Sequence, residues 1–385
     1  MRAAVWQGPK SIEVADLADP VIEKPNDAIV EVSATCICGS DLHLFEHGGS
    51  LGMAPGDVVG HEAVGRVVEI GPEAGNLNVG DRVVVPFNIA CGHCALCRVG
   101  MQSQCETTQS MGGRRGAALF GYSHQYGGVP GAQAQYLRVP EAQYGPVVLD
   151  DSITDAVAVL MADVLPTSWQ AVDYAAVPPG GSVVIHGLGP IGQMCARIAL
   201  HRGAGQVIGV DPEHDRRQQA FDRGAITLDP EEDDLGERVR AMTGGRGADS
   251  VIDAVGMDAT GSALDSALQT AKLQPDRLVA LKASLDTVRR GGTVSVIGVY
   301  GGWYPKFPLG DLFDRQITLR WGQANVRRWT EEILEVVGGD DPLGTAEFVT
   351  DVAPLEDISR WYDEFRDKTD GVRKVMLRPF EPAAA

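Results

Sequence analysis

The segment CICGSDLHLF, residues 36–45, places thiol, hydroxyl, carboxylate and imidazole groups within ten positions. Cys38 ends an apolar, β-branched run, and His61 follows 23 residues later in GDVVGHEAVG. Thiolate and imidazole groups are good ligands for Zn²⁺. Spacing alone does not choose between Cys36 and Cys38, and it provides no third ligand, although Glu62 stands beside His61. A buried cysteine and a buried structural histidine are the alternative interpretation.

A second group of thiols occurs in CGHCALCRVGMQSQC, with the spacing C-x2-C-x2-C-x7-C. Four thiolates at such intervals can form a closed tetrahedral shell around Zn²⁺, and a closed shell leaves no position for a substrate. We therefore predict a structural zinc site, with free or regulatory thiols as the alternative. The predicted ligands are Cys91, Cys94, Cys97 and Cys105.

A glycine pattern, G-x-G-x-x-G, follows the apolar run SVVIHG and opens a helix pattern. Such glycines allow a tight turn, a close approach of pyrophosphate to the backbone, and close packing of helix on strand. The motif consists of Gly187, Gly189, Pro190 and Gly192. These residues predict a dinucleotide site, with a glycine-rich structural turn as the alternative.

The next predicted strand ends in Asp211. A carboxylate in this position can accept hydrogen bonds from ribose hydroxyls and repels a 2′-phosphate, so it favours NAD over NADP. Arg216 and Arg217 lie just downstream. We interpret these two arginines as part of a solvated helix face rather than as a phosphate site.

The elements that must position these groups change in character along the chain. Early β-branched runs separated by Gly and Pro predict a β-rich domain. After about residue 165, short apolar strands alternate with helical patterns, which predicts a doubly wound parallel sheet and an α/β fold. The early strands are predicted at 28–37, 63–71, 81–87 and 134–140, and the later ones at 182–187, 206–211, 225–229, 249–256, 292–298 and 317–322.

Composition restricts the class of partner. The 385 residues include 52 acidic and 33 basic side chains, for a formal net charge of −19. A protein with this much negative charge repels nucleic acids and anionic membranes. No apolar run resembles a signal peptide or a membrane span. Four of the seven cysteines are clustered, which suits metal binding in a reducing compartment, so we predict a cytoplasmic protein that acts on small molecules.

Several motifs occur together in the order seen in zinc-dependent medium-chain alcohol dehydrogenases: CGSDLH, GHEAVGRVVEIG, GDRVVVPF, the four-cysteine segment and GLGPIG…GVD. The chain resembles this family over nearly its whole length. VPFNIACGHC, GAQAQYLRVP and MADVLPTSW are similar to the branch of glutathione-independent formaldehyde dehydrogenase and formaldehyde dismutase. The resemblance implies a GroES-like catalytic domain at 1–157 and 326–385, with a structural-zinc lobe at 88–106, and a Rossmann NAD-binding domain at 158–325.

The resemblance also implies a role for individual residues. Catalytic zinc would be held by Cys38, His61 and Asp163, because an aspartate replaces a cysteine ligand in this branch. Asp41 would orient the ligating histidine, and Glu62 would lie behind the ligands or bind transiently. Ser40 and His43 would relay a proton between substrate and solvent. Thr167, Ile191, Gly298 and Val299 would adjoin the cofactor, and Phe87 and Trp169 the substrate, although the branch usually has Gly and His after PT where Ser168 and Trp169 stand here.

The sequence thus predicts a zinc-dependent NAD oxidoreductase, with two Zn²⁺ ions per chain. It would interconvert a primary alcohol and an aldehyde, or oxidise an aldehyde hydrate such as that of formaldehyde, by hydride transfer. The alternatives are an aldehyde dismutase with tightly held NAD, a zinc reductase of activated C=C or C=N bonds, and a non-catalytic nucleotide-sensing or scaffold protein. The family suggests a homo-oligomer, a tetramer more than a dimer. Residues 257–291 are either a long surface helix or an insertion resembling that branch's cofactor-covering loop.

Overall fold

The chain is described by a computed structural model that covers five stretches of residues. Contacts within the chain divide it into two compact units, Met1–Pro166 with Asn325–Ala385, and Thr167–Ala324. Most of the predicted cofactor-covering insertion, 257–277, lies outside the described residues. None of the described helices has the length and apolar content that a membrane span requires. The described stretches are 1–231, 234–256, 278–300, 307–367 and 371–380.

The first unit is built on a seven-stranded sheet and a smaller three-stranded sheet. The smaller sheet has the order β2 (Ser11–Asp16), β1 (Arg2–Gly8), β4 (Asp57–Val58). In the larger sheet every pair of neighbours is antiparallel except the first two strands. Its order is β15 (Asp351–Pro354), β16 (Val375–Arg378), β3 (Ala28–Ile37), β5 (Ala63–Ile70), β6 (Arg82–Val85) and β8 (Val147–Val148), and β7 (Tyr136–Val139) also pairs with β3.

Strand β3 is buried on both faces because two hydrophobic clusters pack against it. Val30 and Val32 contribute to one cluster, and Ile37 contributes to the other. Antiparallel pairing of β3 with β5 places Thr35 opposite Ala63. The end of β3 and the start of β5 therefore meet, which explains how residues near 38 and 61 come together from distant positions in the sequence.

The described residues of the second unit form a six-stranded sheet in which all five pairings are parallel. Numbered along the chain within this unit, the strand order is 3-2-1-4-5-6, that of a doubly wound dinucleotide-binding fold. The predicted parallel sheet is therefore confirmed. In spatial order the strands are β11 (Ile226–Leu228), β10 (Gln206–Val210), β9 (Ser182–His186), β12 (Ala248–Asp253), β13 (Val288–Val296) and β14 (Thr318–Trp321).

Helices cover these sheets, and the two near the C-terminus bury one face each. In the helix Ile358–Asp367, for example, the buried residues are Ile358, Tyr362 and Phe365, spaced one helical turn apart. Within the described stretches the α-helices are Gly39–His47, Ala95–Arg98, Asp155–Ala158, Val164–Ala175, Pro190–His201, His214–Phe221, Leu235–Met242, Val279–Thr287, Leu309–Arg315, Val326–Val337 and Ile358–Asp367. Short 3₁₀ turns occupy Gly48–Leu51, Gln102–Gln104, Met111–Gly113, His124–Tyr126, Val159–Ala162, Thr345–Glu347 and Leu355–Asp357.

Candidate metal centres and dinucleotide turn

Four side chains with metal-binding groups converge at the end of β3. One such atom from each of Cys38, His61, Glu62 and Asp163 lies within 4.8 Å of the other three. The Oδ2 atom of Asp163 is 3.4 Å from Cys38 Sγ and 3.4 Å from His61 Nε2. All four residues are buried. A thiol, an imidazole and carboxylates at such distances form a donor set that suits Zn²⁺.

Asp41 orients two residues of this cluster, His61 and Cys38. Its Oδ1 atom lies 3.1 Å from His61 Nδ1, and its Oδ2 atom accepts a hydrogen bond from the main-chain N–H of Cys38 at 2.9 Å. Because Nδ1 faces Asp41, Nε2 is the imidazole nitrogen directed at Asp163. Burial alone would lower the pKa of His61, but the carboxylates of Asp41 and Asp163 raise it well above its usual range. A carboxylate behind a histidine ligand is a common feature of zinc sites.

The helix Gly39–His47 begins at this cluster and presents Ser40 to it. The Ser40 Oγ atom is 3.4 Å from His61 Nε2. His43, three residues later on the same helix, is buried, and residues with this spacing share a helix face. Phe87 packs edge-on against His61, with a ring-centre distance of 6.1 Å. The structure therefore places Ser40 and Phe87 at the cluster and His43 one turn further along the helix.

The four clustered cysteines form a second group in the first unit. Their sulfur atoms all lie within 4.8 Å of one another. Main-chain N–H groups donate to three of these sulfurs, including Cys91 N–H to Cys105 Sγ and Cys94 N–H to Cys91 Sγ, each at 3.4 Å. Burial raises the pKa of Cys105, but hydrogen bonds from Cys91 and Thr108 outweigh it and lower that pKa to about 7. Thiolates stabilised in this way suit a closed zinc site.

The glycine motif forms a turn at the carboxyl edge of the parallel sheet. Gly187 has φ +86°, a conformation that disfavours other residues, and a Cβ atom on Gly192 would lie 1.8 Å from the Gly187 carbonyl oxygen. Gly189 caps the helix Pro190–His201, which has Pro190 in its first turn. This strand–turn–helix arrangement leaves main-chain N–H groups at the start of the helix, where they can bind phosphate.

The carboxylate of Asp211 is anchored beside this turn. Its Oδ2 atom accepts a hydrogen bond from the Leu188 N–H at 2.7 Å, and its Oδ1 atom accepts one from the Glu213 N–H at 2.9 Å. Gly298 and Val299 follow β13 at the same edge of the sheet, because Val296 pairs with Asp253 and Asp253 pairs with His186. The structure thus brings the glycine turn, Asp211 and the turn after β13 to one edge.

Comparison with known proteins decides the family. The alcohol dehydrogenase GroES-like domain matches residues 24–148, and the zinc-binding dehydrogenase domain matches residues 190–274. The uncharacterized zinc-type alcohol dehydrogenase-like protein AdhB of Bacillus subtilis is 41% identical over 98% of this chain and 100% of its own length. This chain belongs to the zinc-type alcohol dehydrogenase family. The predicted combination of a GroES-like domain with a Rossmann domain is confirmed.

Other members of the alcohol dehydrogenase family agree with this assignment. The solved structure of alcohol dehydrogenase TADH from Thermus sp. ATN1 matches with a TM-score of 0.84 and 33% identity, over 98% of this chain and 99% of that one. The glutathione-independent formaldehyde dehydrogenase of Pseudomonas aeruginosa is 31% identical over 94% of each chain. Membership of the family establishes an oxidoreductase of the zinc-type alcohol dehydrogenase class.

The interpretation of Arg216 and Arg217 as part of a solvated helix face is wrong. Arg217 donates to the main-chain oxygens of Asp211 and Pro212, both at 2.7 Å, and lies 2.8 Å from the Asp229 carboxylate. The Nη1 atom of Arg216 is 3.7 Å from Asp211 Oδ2. The physical reason is that β10 and β11 are neighbouring parallel strands. Asp211 and Asp229, which follow these strands, therefore both lie within reach of the helix His214–Phe221, which carries the two arginines.

Trp169, predicted to adjoin the substrate, packs inside the second unit instead. The residue is 3% exposed, and the guanidinium carbon of Arg202 lies 4.4 Å from the centre of its indole ring. Arg202 caps the C-terminal end of the helix Pro190–His201, at the opposite end from the glycine turn. The indole therefore serves packing within the second unit. In contrast, the neighbouring Ser168 donates to the Ile191 carbonyl at 3.1 Å, which ties Thr167 to the start of that helix.

Sequence reasoning missed Gln133, which supports the metal cluster. Its fully buried amide donates to Asp41 Oδ2 at 3.3 Å and to the Cys36 carbonyl at 3.0 Å, and it accepts a hydrogen bond from the Tyr362 hydroxyl at 2.9 Å. The partners lie 92 or more positions away in the sequence. No local pattern could have indicated these contacts, although a glutamine within the apolar run GAQAQYLRVP is itself unusual.

Lys374 is a second residue that sequence reasoning missed. Its Nζ atom is 2.7 Å from Glu62 Oε1, and neither side chain is exposed. Burial opposes the charge on Lys374, but the carboxylate of Glu62 and the neighbouring thiols raise its pKa above the usual range. Lys374 directly precedes β16, and β16 pairs with β3. The C-terminal strand thus delivers a buried cation to the metal cluster, where it balances one of the carboxylates.

Proposed function

We propose that this chain is a zinc- and NAD-dependent oxidoreductase that interconverts a primary alcohol and an aldehyde. The observation that carries the proposal is the convergence of Cys38, His61 and Asp163 beside the Ser40 hydroxyl. Three ligands of this kind leave room for an oxygen ligand, which is the arrangement of a catalytic zinc site. The four-cysteine group, in contrast, fills all four positions and serves structure.

The donor atoms in the chain match the proposed metal. Cys38, His61 and Asp163 would hold Zn²⁺, which supplies Lewis acidity toward a substrate oxygen. Asp41 holds His61 in the orientation that directs Nε2 at the metal site. Lys374 is paired with Glu62 at 2.7 Å and so keeps this carboxylate from contributing another full negative charge to the site. A second Zn²⁺ ion would be held by the four cysteines.

Proton transfer is assigned to two residues of one helix. The Ser40 hydroxyl, 3.4 Å from His61 Nε2, accepts the proton that leaves the substrate hydroxyl as it passes its own proton on toward His43. His43 holds the proton at a ring nitrogen before its release to solvent, a role that suits imidazole because its ring nitrogens can both accept and donate a proton. Phe87 packs against His61 and provides an apolar wall for the substrate.

The dinucleotide is assigned to the carboxyl edge of the parallel sheet. Its nicotinamide supplies the acceptor or donor of hydride. The N–H groups after Gly189 bind the pyrophosphate, and the buried Asp211 carboxylate accepts from the adenosine ribose, which favours NAD over NADP. Thr167, Ile191, Gly298 and Val299 are assigned to the nicotinamide end.

The substrate class is proposed from the relatives. A relative named glutathione-independent formaldehyde dehydrogenase is 31% identical over 94% of this chain. This similarity supports formaldehyde and other small aldehyde hydrates as candidate substrates beside primary alcohols. The dismutase hypothesis depends on a segment, 257–277, that lies outside the described residues. The buried Asp211 argues against an NADPH-dependent reductase of C=C or C=N bonds.

A panel of assays tests these assignments together. Purified protein is analysed for zinc and then incubated with alcohols or aldehydes, with NAD, with NADP and without added nucleotide. We expect activity that needs added NAD and is at least about tenfold lower with NADP, because Asp211 repels a 2′-phosphate. Aldehyde dismutation without added NAD would establish the dismutase instead. Zinc-loaded protein that binds NAD but acts on no alcohol or aldehyde would contradict the proposal.

We also propose that the protein is a cytoplasmic homo-oligomer. None of the seven cysteines, all of which lie in the described residues, forms a disulfide bond, the state that a reducing compartment maintains. Strand β14 is the edge of the described six-stranded sheet, and Trp321 within it is 57% exposed. Leu309 and Phe313 on the preceding helix are 70% and 83% exposed. An exposed strand edge beside large apolar side chains suits pairing with a second copy of this chain.

A further inference from the structure

Asp253 is a buried carboxylate to which the proposed function gives no role. It is the last residue of β12, which lies between β9 and β13 in the parallel sheet. Its side chain is not exposed to solvent. It pairs with His186, the residue before the glycine turn, and with Val296, at the end of β13. Asp253 therefore stands at the centre of the sheet edge that is assigned to the dinucleotide.

Asp253 holds the turn after β13 at two points. Its main-chain oxygen accepts hydrogen bonds from the N–H groups of Ile297 and Gly298 at 3.0 and 2.9 Å. Its carboxylate Oδ2 atom accepts a hydrogen bond from the Tyr300 hydroxyl at 2.6 Å. The main chain of Asp253 thus holds the start of this turn, at Ile297 and Gly298, and its carboxylate holds the end, at Tyr300. Gly298 and Val299 are fixed between these points.

The same carboxylate also holds the turn after β12. Its Oδ1 atom accepts hydrogen bonds from the N–H groups of Val255 and Gly256 at 3.0 and 3.1 Å. The two turns touch backbone to backbone, since a Cβ atom on Gly256 would lie 2.5 Å from the nitrogen of Val299. A displacement of either turn therefore displaces the other.

The charge on Asp253 depends on these donors. Burial raises its pKa, and hydrogen bonds from Tyr300, Gly256 and Val255 oppose that rise. In the described part of the chain no lysine or arginine pairs with it. Tyr300 is the side-chain donor, and the other donors belong to the main chain. Loss of the Tyr300 hydroxyl would leave a buried oxygen without its partner, which is costly.

We propose that Asp253 and Tyr300 are positioning residues that fix the main chain of Gly298 and Val299 for the nicotinamide end of the bound dinucleotide. This inference rests on the proposed function, in which Gly298 and Val299 adjoin the nicotinamide. The two residues act on the cofactor only through that main chain. The adenosine end is held by other groups, namely the glycine turn and Asp211.

The test compares two ligands that share the adenosine end. Binding of NAD⁺ and of ADP-ribose, which lacks nicotinamide, is measured by calorimetry on the full-length protein and on Tyr300→Phe. We expect Tyr300→Phe to bind NAD⁺ about tenfold more weakly and ADP-ribose with unchanged affinity. Asp253→Asn should change the two affinities in the same pattern. Tyr136→Phe is the matched control, because it also removes a hydroxyl-to-carboxylate hydrogen bond, to Glu31 at 3.3 Å in the first unit.

Two results with Tyr300→Phe would overturn the inference. Unchanged NAD⁺ affinity would show that the hydroxyl positions nothing, and an equal loss for NAD⁺ and ADP-ribose would show a general structural role. Failure of the unaltered protein to bind either ligand is a different result, which would refute the proposed function and this inference with it. Because Tyr300→Phe changes one hydroxyl, it keeps the test valid if Asp253→Asn does not fold.

Discussion

Three kinds of donor atom, a sulfur, a ring nitrogen and a carboxylate oxygen, meet at the end of β3. A carboxylate oxygen is a harder donor than a thiolate, so a zinc ion held partly by Asp163 should be more electrophilic than one held by an additional cysteine. The residues that support the metal ligands are not equally easy to recognise in the sequence. Asp41 is close to Cys38 along the chain, whereas Gln133 and Lys374 reach the site from distant segments.

Substitution of Asp163 tests the catalytic metal site. Asp163→Ala should reduce the zinc content from about two ions to about one per chain and lower kcat by at least about a thousandfold, because it removes a ligand. Zinc is measured by mass spectrometry and kcat with the best alcohol substrate. Asp151→Ala is the control, since that carboxylate is 72% exposed and pairs with Arg66. Full zinc content in Asp163→Ala would exclude Asp163 as a ligand.

His186 should make stability depend on pH. Burial lowers its pKa to about 4 in the folded protein, and its Nε2 atom lies 3.2 Å from the Thr287 hydroxyl. An unfolded-state histidine protonates near pH 6.5. Below that pH the unfolded state therefore binds more protons than the folded state does, so the free energy of unfolding falls as the pH decreases. Between pH 7.5 and 5.5 this residue should cost about 1.3 kcal/mol of unfolding free energy.

Urea unfolding at the two pH values measures this effect. His186→Gln should lose about 1.3 kcal/mol less than the unaltered protein over that interval, because it has no imidazole to protonate. His214→Gln is the control, since the His214 side chain is 78% exposed. An identical pH dependence in His186→Gln and the unaltered protein would show that His186 does not contribute.

At the scale of elements, the four-cysteine lobe is a short segment with little regular structure of its own. It contains a four-residue helix, Ala95–Arg98, and a 3₁₀ turn, Gln102–Gln104. The lobe is anchored to the C-terminal part of the first unit, because the Ser103 N–H and hydroxyl both donate to Asn325 Oδ1 at 3.0 and 2.9 Å. A segment made of short turns without a strand has little hydrophobic core of its own, which makes bound metal the expected source of its stability.

Removal of one thiol from the lobe tests this dependence. Cys97→Ser should lose about one zinc ion per chain and lower Tm by roughly 5 °C, because a closed zinc site contributes directly to folding. Cys195→Ser is the control: Cys195 is a buried thiol of the second unit, and its substitution should leave the zinc content unchanged. Zinc analysis and differential scanning calorimetry give both values. Retention of both zinc ions by Cys97→Ser would contradict the assignment.

At the scale of the whole molecule, the exposed apolar residues beside β14 bear on assembly. Phe313 is 83% exposed on the helix Leu309–Arg315, and the edge strand β14 follows. The unaltered protein should elute as a multiple of its 40.9 kDa chain mass. Phe313→Glu should shift the population toward the monomer, because it places a charge in a surface that a second copy would cover.

Light scattering coupled to size exclusion measures this shift. Phe221→Glu is the matched control, since Phe221 is 60% exposed on another helix of the same unit and its substitution should leave the mass unchanged. A monomeric unaltered protein would refute the oligomer. An unchanged mass in Phe313→Glu would place the interface elsewhere.

The sequence by itself determined the elements and the local motifs. Alternating and continuous apolar runs predicted most strands to within a few residues, as for β3 at 28–37 and β9 at 182–186. This is possible because the side chains of a strand themselves show which of its faces are buried. The spacing of the four cysteines and of the glycines indicated their sites for the same reason: each site is built from one short segment. Family resemblance was needed to choose Asp163, since it joins its partners from 125 positions away.

Only the tertiary structure decided which distant side chains meet. The pairing of β16 with β3 brings Lys374 to Glu62 across 312 positions, and the sheet order brings Asp253 to the turn that ends at Tyr300. The same cause explains why the predictions for Trp169, Arg216 and Arg217 were wrong. Trp169 and the two arginines after Asp211 have ordinary sequence surroundings, and their burial depends on the elements that pack above them. Local sequence specifies local conformation, whereas contacts between elements depend on the register and order of strands that no single segment contains.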